Sequence, residues 1–333
     1  MGRKAKMEKA LEKQFQNLTK LLDGAKNVLI TAHKYPDGDA LSSVLAFYLG
    51  LKGRNKINPI PYFSDMPKNY GFLPGFSEIE TDFPKNKIDF LIGLDYGDFK
   101  RLDIKNKNFP DKKIITIDHH LPSDHRGNFQ IVRPDFSSTS EILYYFFKNA
   151  KILIDKEIAT CLLTGIYTDS GGFKHAATSS LTLGAAADLI SRGASLPHIV
   201  RGTITMKSPS VLKLWGRALS RVEHDSQTGM VYSWIAHKDL KGKIPENLGV
   251  GDLAADISMR SGAPFTLLLV EHRPGRFKGS LRSESYHNVD VAKIAKALGG
   301  GGHKLSAGFE KKGDLKNIIQ LVKATAGIKR EIA

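Results

Sequence analysis

Short apolar runs alternate with segments of helical periodicity over roughly the first 190 residues. Val28–Ala32, Phe90–Leu94 and Ile114–Ile117 are mainly apolar runs of strand length. Helices are predicted after them, at Ala40–Lys52, Glu141–Lys148 and Asp155–Tyr167 and from Ser180 onwards. Strands that alternate with helices predict an α/β fold, built on a mainly parallel sheet with flanking helices.

An amphipathic helix is predicted near the start of the chain, over residues 5–23. Leu11, Phe15, Leu18 and Leu22 recur there at helical spacing among charged residues. An apolar stripe of this kind packs either on a partner protein or on the sheet of its own domain. We expect this helix to pack on its own sheet.

The pattern changes between residues 190 and 225, where we place a domain boundary. One face of a helical stretch at 207–223 carries Val211, Leu214, Ala218 and Val222. Later strands and helices are predicted at Gly229–Ala236, Asp252–Arg260, Phe265–Val270, Arg276–Arg282, Val289–Ala297 and Leu315–Ala324. The expected division is a first domain at 1–190, a helical linker at 191–225 and a smaller α/β domain at 226–333.

Composition narrows the class of protein. The chain has 49 lysines and arginines against 34 acidic residues, a net charge of +15. This charge favours polyanionic ligands such as nucleotides or nucleic acid, although a basic solvated surface explains it equally well. Cys161 is the only cysteine, which excludes an intrachain disulfide. No apolar run has membrane-spanning length and no secretory signal is seen, so we expect a cytoplasmic protein.

Acidic and imidazole side chains follow the ends of the three predicted strands. The residues concerned are His33, Asp37, Asp39, Asp95, Asp118, His119 and His120. A further acid, Asp169, ends a predicted helix. Because ligands bind at the carboxyl ends of parallel strands, we expect these side chains to converge at one edge of the sheet.

Carboxylates combined with a few imidazoles suit Mn²⁺ or Mg²⁺. Crowded carboxylates repel one another unless cations lie between them, and two bridged metal ions produce a hydroxide nucleophile near neutral pH. Taken singly, Asp37 and Asp39 fit a turn and a helix cap, and His119 fits a buried histidine. Their coincidence at three strand ends favours a metal site for phosphate ester hydrolysis.

A glycine-rich segment in the second domain predicts a phosphate-binding loop. Four glycines allow a close approach of the backbone to an anion, and a neighbouring arginine can bind phosphate through two N–H groups. A flexible loop and a surface arginine are the alternative interpretations. The candidate substrate-binding residues are Arg282, Ser283, Gly300, Gly301, Gly302, His303 and Lys304.

Four segments resemble, in the expected order, the motifs of the DHH phosphoesterase family. They are His33–Ala40, Asp95, Asp118-His119-His120 and Thr168–Gly171. In the second domain, Ser280–Ser283 and Gly299–Phe309 closely resemble the substrate-binding domain that accompanies many of these enzymes. The resemblance covers roughly residues 25 to 325 and implies a cleft between the two domains.

The resemblance also implies roles for the candidate residues. His33 and Asp37 would bind one divalent ion, and a second ion would be bound by Asp39, His119 and Asp169. Asp95 would bridge the two ions, for which Mn²⁺ is preferred and Mg²⁺ is the alternative. His120 would contact the scissile phosphate or donate a proton, and Asp118 would orient the metal-site histidines.

Within the family, the compact two-domain arrangement resembles the nano-RNases, which combine oligoribonuclease activity with phosphatase activity on 3′-phosphoadenosine 5′-phosphate. We therefore expect a monomer or homodimer that hydrolyses short RNA and small nucleotides. One alternative is a phosphodiesterase for pApA, pGpG or cyclic di-AMP. A manganese pyrophosphatase fits less well, because the glycine-rich motif points to nucleotide processing. From another class, the alternative is a non-catalytic nucleic-acid-binding relative.

Overall fold

The structure, a computed structural model, divides the chain into the units Met1–Ile204 and Thr205–Ala333. The residues described are 3–52, 54, 56–67, 69–85, 87–104, 109–120, 124–175, 177–203, 208–240, 245 and 248–327. Among the helices of these ranges, none has the length and apolar character needed to cross a bilayer.

Parallel strands form the sheet of the first unit. Their bounds are β1 Asn27–Thr31, β2 Asn58–Pro61, β3 Phe90–Leu94, β4 Ile114–Asp118 and β5 Phe129–Val132. The order is β2-β1-β3-β4-β5, so the three strands predicted from apolar runs are neighbours. Leu29 of β1 lies opposite Leu91 of β3, and Ile92 lies opposite Ile115 of β4. The predicted parallel α/β fold is confirmed, and the carboxyl ends of these strands meet at one edge.

Helices pack around this sheet. In the described part of the first unit they are α1 Arg3–Asp23, α2 Gly38–Lys52, α3 Thr139–Asn149, α4 Lys156–Asp169, α5 Ser180–Ser191 and α6 Leu196–Thr203. α1 buries Leu11, Phe15, Leu18 and Leu22 in the core and contacts α3 and β5. The Phe15 ring centroid lies 5.7 Å from that of Phe146 in α3. The prediction that this helix packs within its own domain is confirmed.

The second unit contains a mixed sheet with the order β10-β11-β9-β8-β7-β6. Its elements are α7 Pro209–Leu219, β6 Glu223–His224, β7 Val231–Ile235, α8 Val250–Ser261, β8 Thr266–Arg273, β9 Arg276–Arg282, α9 Val291–Ala297, β10 Gly301–His303, β11 Ser306–Lys312 and α10 Leu315–Gly327. β7 and β8 are parallel and the other neighbours are antiparallel. A smaller α/β unit after the first is confirmed.

The region predicted as a linker contains two helices that join different cores. α6 contributes Ile199 to the core of the first unit. α7 contributes Val211, Leu214 and Ala218 to a core of the second unit. Both helices are therefore held by burial of apolar surface. The domain bounds given above remain predictions.

Two details of the second unit differ from the sequence-based expectation. Val222 was expected on the apolar face of a helix, but α7 ends at Leu219 and the Val222 side chain is 40% exposed. The predicted open glycine loop is in part a strand, because Gly301 and Gly302 pair with Gly308 and Ala307 of β11. Apolar periodicity does not detect a short glycine strand, which has no side chains to alternate.

Candidate metal centre

The loop after β1 places an imidazole opposite a carboxylate. His33 is buried, and its Nδ1–H donates to the carbonyl oxygen of Lys34 (2.8 Å). This bond leaves the Nε2 lone pair free, 3.6 Å from Oδ2 of Asp37. The other oxygen of Asp37 accepts a hydrogen bond from the backbone N–H of Ala40 (3.0 Å). Asp37 therefore caps α2 with one oxygen and faces His33 with the other.

Asp39 is held by the amino-terminal end of α3. Its two oxygens accept hydrogen bonds from the backbone N–H groups of Thr139 (2.7 Å) and Ser140 (3.0 Å). A Cβ atom at Gly165 of α4 would overlap Ser140 and lie 2.5 Å from Oδ1 of Asp39. Glycine is required there because α4 passes too close to the carboxylate for any side chain.

Asp95, the first residue after β3, occupies the centre of the arrangement. Its Oδ1 lies 3.5 Å from Nε2 of His119 and 3.4 Å from Nδ1 of His120, and it accepts a hydrogen bond from the Thr139 hydroxyl (3.1 Å). Its φ of 51° is in the left-handed region, where aspartate is among the few tolerated side chains. Backbone geometry thus turns the carboxylate inward from the strand end.

Two acids of the site, Asp95 and Asp169, lie where burial and neighbouring carboxylates disfavour the ionised form. Burial and the neighbouring carboxylates, Asp39 first among them, raise the pKa of Asp95 well above its ordinary value. The same two causes raise the pKa of Asp169 from 3.8 to about 8. Buried carboxylates in this state fit a site that binds cations, because positive charge removes the repulsion.

Asp118, the last residue of β4, has the opposite environment. Its Oδ2 accepts hydrogen bonds from the backbone N–H groups of Tyr96 and Gly97 (both 2.8 Å) and from Nε2 of His125 (3.1 Å). Its Oδ1 accepts from the backbone N–H and from Nδ1 of His120 (2.9 and 2.8 Å). Although burial opposes ionisation, these hydrogen bonds hold the pKa of Asp118 far below its usual range. The carboxylate can therefore orient His120.

In the part of the chain that the structure describes, three groups of side chains each present ligand atoms within 4.8 Å of one another and could each hold a metal ion. Asp95 belongs to two of these groups, and His119 also belongs to two. The groups are His33, Asp37 and Asp95; Asp39, His119 and Asp169; and Asp95, His119 and His120. The first two groups together contain the six expected ligands, with Asp95 in the first of them only, so its bridging role remains a prediction.

Several residues at this site were not predicted from sequence. The His125 side chain is only 2% exposed beside Asp118, and its ring packs edge-on against Tyr96 with centroids 5.3 Å apart. No spacing marks it, because it lies in an irregular loop. Thr139 and Ser140 contribute backbone N–H groups, which cannot be recognised from residue type. The helix start that carries these groups can be recognised, because a serine before an apolar helical run indicates one.

Three of the candidate residues of the second unit, Arg282, Gly301 and Gly302, line a cavity of about 420 Å³. Arg282 is partly buried, which lowers the pKa of its guanidinium, and Nη1 donates to the carbonyl oxygen of Leu281 (2.9 Å). His303 and Lys304 are exposed in the adjoining hairpin.

The other candidates there have structural contacts as well. Ser283 is buried and its hydroxyl donates to the carbonyl oxygen of Pro264 (2.8 Å). A side chain at Gly300 would overlap Phe309, and one at Gly302 would overlap Ala307. Close packing of β10 on β11 therefore accounts for part of the glycine run, and its anion-binding role remains a prediction.

A parallel α/β unit with carboxylates and imidazoles gathered at its strand ends is the arrangement of a metal-dependent hydrolase. Residues 27–166 match the model described as "DHH family, N-terminal domain", and residues 227–327 match the DHHA1 domain. The chain belongs to the DHH family of phosphoesterases.

Similar proteins span most of the chain. The bifunctional oligoribonuclease and PAP phosphatase NrnA of Thermus thermophilus is 31% identical, over 86% of this chain and 84% of that protein. A probable bifunctional oligoribonuclease and PAP phosphatase NrnA of Streptococcus mutans is 26% identical, over 88% and 92%. The crystal structure of an exopolyphosphatase-related protein from Bacteroides fragilis, 24% identical, superposes with a TM-score of 0.81 over 96% of this chain and 97% of that one.

Proposed function

We propose that this protein is a two-metal phosphoesterase that hydrolyses short oligoribonucleotides, and 3′-phosphoadenosine 5′-phosphate, to mononucleotides. The observation that carries the proposal is that six potential ligands form two groups able to hold a cation, and that Asp95 of the first group lies 3.5 Å, through its Oδ1, from Nε2 of His119 in the second. The relatives named as oligoribonuclease and PAP phosphatase support this choice of substrates.

His33 and Asp37 would hold one ion, Asp39, His119 and Asp169 the other, and Asp95 would contact both. The mixed oxygen and nitrogen donors suit Mn²⁺, with Mg²⁺ as the alternative. When bound, such a pair of ions supplies a hydroxide nucleophile and neutralises charge on the phosphate. The raised pKa values of Asp95 and Asp169 support this assignment, because cations would restore their ionised form.

His120 and Asp118 would act together on the phosphate. The hydrogen bond between Nδ1 of His120 and Asp118 leaves Nε2 of His120 for the substrate, and the His120 side chain is 40% exposed. We assign to Nε2 a hydrogen bond to the scissile phosphate or proton donation to the leaving oxygen. Asp118 fixes the orientation and tautomer of the ring.

The second unit would bind a terminal phosphate of the substrate. Arg282 and the hairpin residues Gly301, Gly302, His303 and Lys304 would supply N–H groups and positive charge for this purpose. The N–H of Gly300 donates to the carbonyl oxygen of Ala295 (2.8 Å), so Gly300 would act by allowing a close approach of the backbone. Ser283 would contribute only through its position directly after β9, because its hydroxyl donates to the carbonyl oxygen of Pro264. The cleft between the domains, the cytoplasmic location and the monomeric or homodimeric state remain predictions.

The decisive experiment measures turnover with Mn²⁺ of RNAs from two to about twenty-four nucleotides, pApA, cyclic di-AMP and 3′-phosphoadenosine 5′-phosphate, with EDTA controls. We expect EDTA-sensitive cleavage that is fastest for the shortest RNAs. A preference for a cyclic dinucleotide or for long strands would contradict the proposed substrates. Salt-sensitive RNA binding without hydrolysis would favour the non-catalytic alternative.

A matched variant tests the role of Asp95. Asp95→Asn keeps a side chain that tolerates the left-handed backbone but removes the charge. We expect turnover to fall by more than about a hundredfold while circular dichroism and solubility stay unchanged. Wild-type turnover in this variant would exclude a bridging Asp95.

A further inference from the structure

A cavity of about 680 Å³ adjoins the loop that carries His33 and Asp37. Its lining includes Lys34, Tyr35, Ser64, Met66, Asn69 and Asp103. Cavities of this size accommodate ligands as large as a nucleoside. We name it the Tyr35 pocket.

Tyr35 combines an unusual backbone conformation with an exposed side chain. Its φ is 56°, in the left-handed region, and it precedes Pro36, which favours an extended backbone. The side chain is nevertheless 87% exposed. The loop is fixed before it by a hydrogen bond from the Lys34 N–H to the carbonyl oxygen of Arg101 (2.9 Å). A strained backbone that presents an aromatic ring to solvent indicates a binding role.

The opposite lining of the pocket is polar and includes an unsatisfied acceptor. Asp103 is 3% exposed, and its Oδ2 accepts a hydrogen bond from the Ser64 N–H (2.8 Å). Its Oδ1 is buried and has no hydrogen-bond partner among the described residues. Because this oxygen has almost no accessible surface, the side-chain amide of Asn69 is the uncharged polar group of this lining that a ligand can reach. The Asn69 side chain is exposed beside it.

Sequence distance places this pocket next to the metal centre. Tyr35 is two residues from His33 and two from Asp37, so its Cα lies within about 7.6 Å of either Cα. A phosphate at the His33–Asp37 group would therefore have the nucleoside attached to it within reach of the Tyr35 ring. The exposed Lys34 ammonium lies on the same loop.

We propose that the Tyr35 pocket binds the nucleobase of the residue that carries the scissile phosphate, an inference that rests on the proposed function. Tyr35 stacks on one face of the base and the Met66 thioether contacts the other. The side-chain carbonyl oxygen of Asn69 accepts a hydrogen bond from the edge of the base, and Lys34 contacts the sugar–phosphate backbone.

This arrangement predicts which bases are preferred. The Asn69 acceptor matches bases with an exocyclic amino group, and purines present the larger face for stacking. Adenine and guanine should therefore bind better than uracil at this position. The proposed two-metal chemistry itself has no such preference.

The test measures binding of AMP, a product of the proposed reaction, by calorimetry in the presence of Mn²⁺, with the wild-type protein as the parent, so that turnover does not interfere and every proposed metal ligand stays in place. Adding Tyr35→Ala should weaken the affinity about tenfold, as expected for loss of one stacked base. Tyr35→Phe should stay within about twofold. Leu153→Ala, which alters an exposed residue between α3 and α4, is the matched control.

The outcomes separate the two proposals. Equal affinities of the parent and the Tyr35→Ala variant, or no binding by the parent, would overturn the base pocket. Absence of turnover by the wild type, with affinity still dependent on Tyr35, would overturn the proposed catalysis alone.

Base selectivity gives an independent measurement. The ratio of kcat/KM for pApA to that for pUpU should be about ten or more in the wild type and should fall several-fold in Asn69→Leu. An unchanged ratio would show that the base edge is not recognised at Asn69.

Discussion

At the scale of single residues, the site depends on two acids with opposite surroundings. Asp95 directly follows β3, and Asp118 is the last residue of the neighbouring strand β4. Both side chains are buried. Asp95 is surrounded by other carboxylates, whereas Asp118 accepts hydrogen bonds from three backbone N–H groups and two imidazoles. The first is thus suited to a cation and the second to orienting an imidazole.

His125 tests how far Asp118 must be held in place. His125→Leu removes one donor to Oδ2 of Asp118 and should lower kcat about tenfold with little change in KM, since Asp118 would orient His120 less well. His125→Gln retains an N–H donor and should recover part of the loss. Steady-state kinetics on pApA, combined with a melting curve for each variant, is the measurement. A folded His125→Leu protein with full kcat would remove the orienting role.

The raised carboxyl pKa values predict an unusual stability profile. Between pH 3.8 and about 8 the folded state holds a proton on Asp169 that the unfolded state has lost. The free energy of unfolding of the metal-free protein should therefore decrease as the pH rises through this window, and Asp95 contributes with the same sign. Mn²⁺ should raise the melting temperature most at the upper end, where ligands ionise readily. The measurement is a set of melting curves in EDTA and in Mn²⁺ across this pH window. A metal-free protein whose stability rises with pH would contradict the prediction.

At the scale of elements, the start of α3 and the middle of α4 together position Asp39. The N–H groups of Thr139 and Ser140 bind the carboxylate, and Gly165 leaves room for it. Apolar periodicity predicts that these helices exist. It does not predict that their ends and close approaches build the site, because backbone N–H groups have no sequence signature of their own.

Gly165 provides a prediction with an internal control. Gly165→Ala should destabilise the protein by about 1–3 kcal/mol and reduce Mn²⁺ affinity, since the methyl group overlaps Ser140 and crowds Asp39. At Gly184 in α5 a Cβ atom would meet no atom of the described residues within 4 Å, so Gly184→Ala should instead be neutral or stabilising. Urea denaturation compares the two. Equal stability of both variants would contradict the close packing at Gly165.

The sequence predicts the central elements well and the irregular ones less well. β1, β3 and β4 follow directly from apolar runs, and the acids at their ends converge because parallel strands share an edge. The exposure of Val222 and the pairing of β10 escaped prediction, since both depend on where the chain turns and what it meets in space. His125 escaped for the same reason.

At the scale of the whole molecule, the candidate metal ligands and the candidate phosphate-binding residues belong to different units. The residues able to hold a metal ion lie in the first unit and Arg282 lies in the second. If their roles are as proposed, ion binding and substrate affinity can be altered separately.

Arg282 tests this separation. Arg282→Ala should raise KM for short RNA at least about tenfold through loss of a charge-assisted contact, while the stabilisation of the protein by Mn²⁺ stays unchanged. Arg282→Lys, which keeps the charge but loses the planar fork, should be intermediate. Kinetics and melting curves with Mn²⁺ measure the two effects, and a parallel loss of Mn²⁺ stabilisation would argue against independent roles.

The left-handed backbone at Asp95 also bears on how this fold can change during evolution. Aspartate, asparagine and glycine tolerate that conformation best, and the codons of the latter two differ from those of aspartate by a single nucleotide. The substitutions that the backbone accepts most readily are thus ones that remove the central charge. A lineage could lose hydrolysis in one mutational step and still inherit an intact, nucleotide-binding protein.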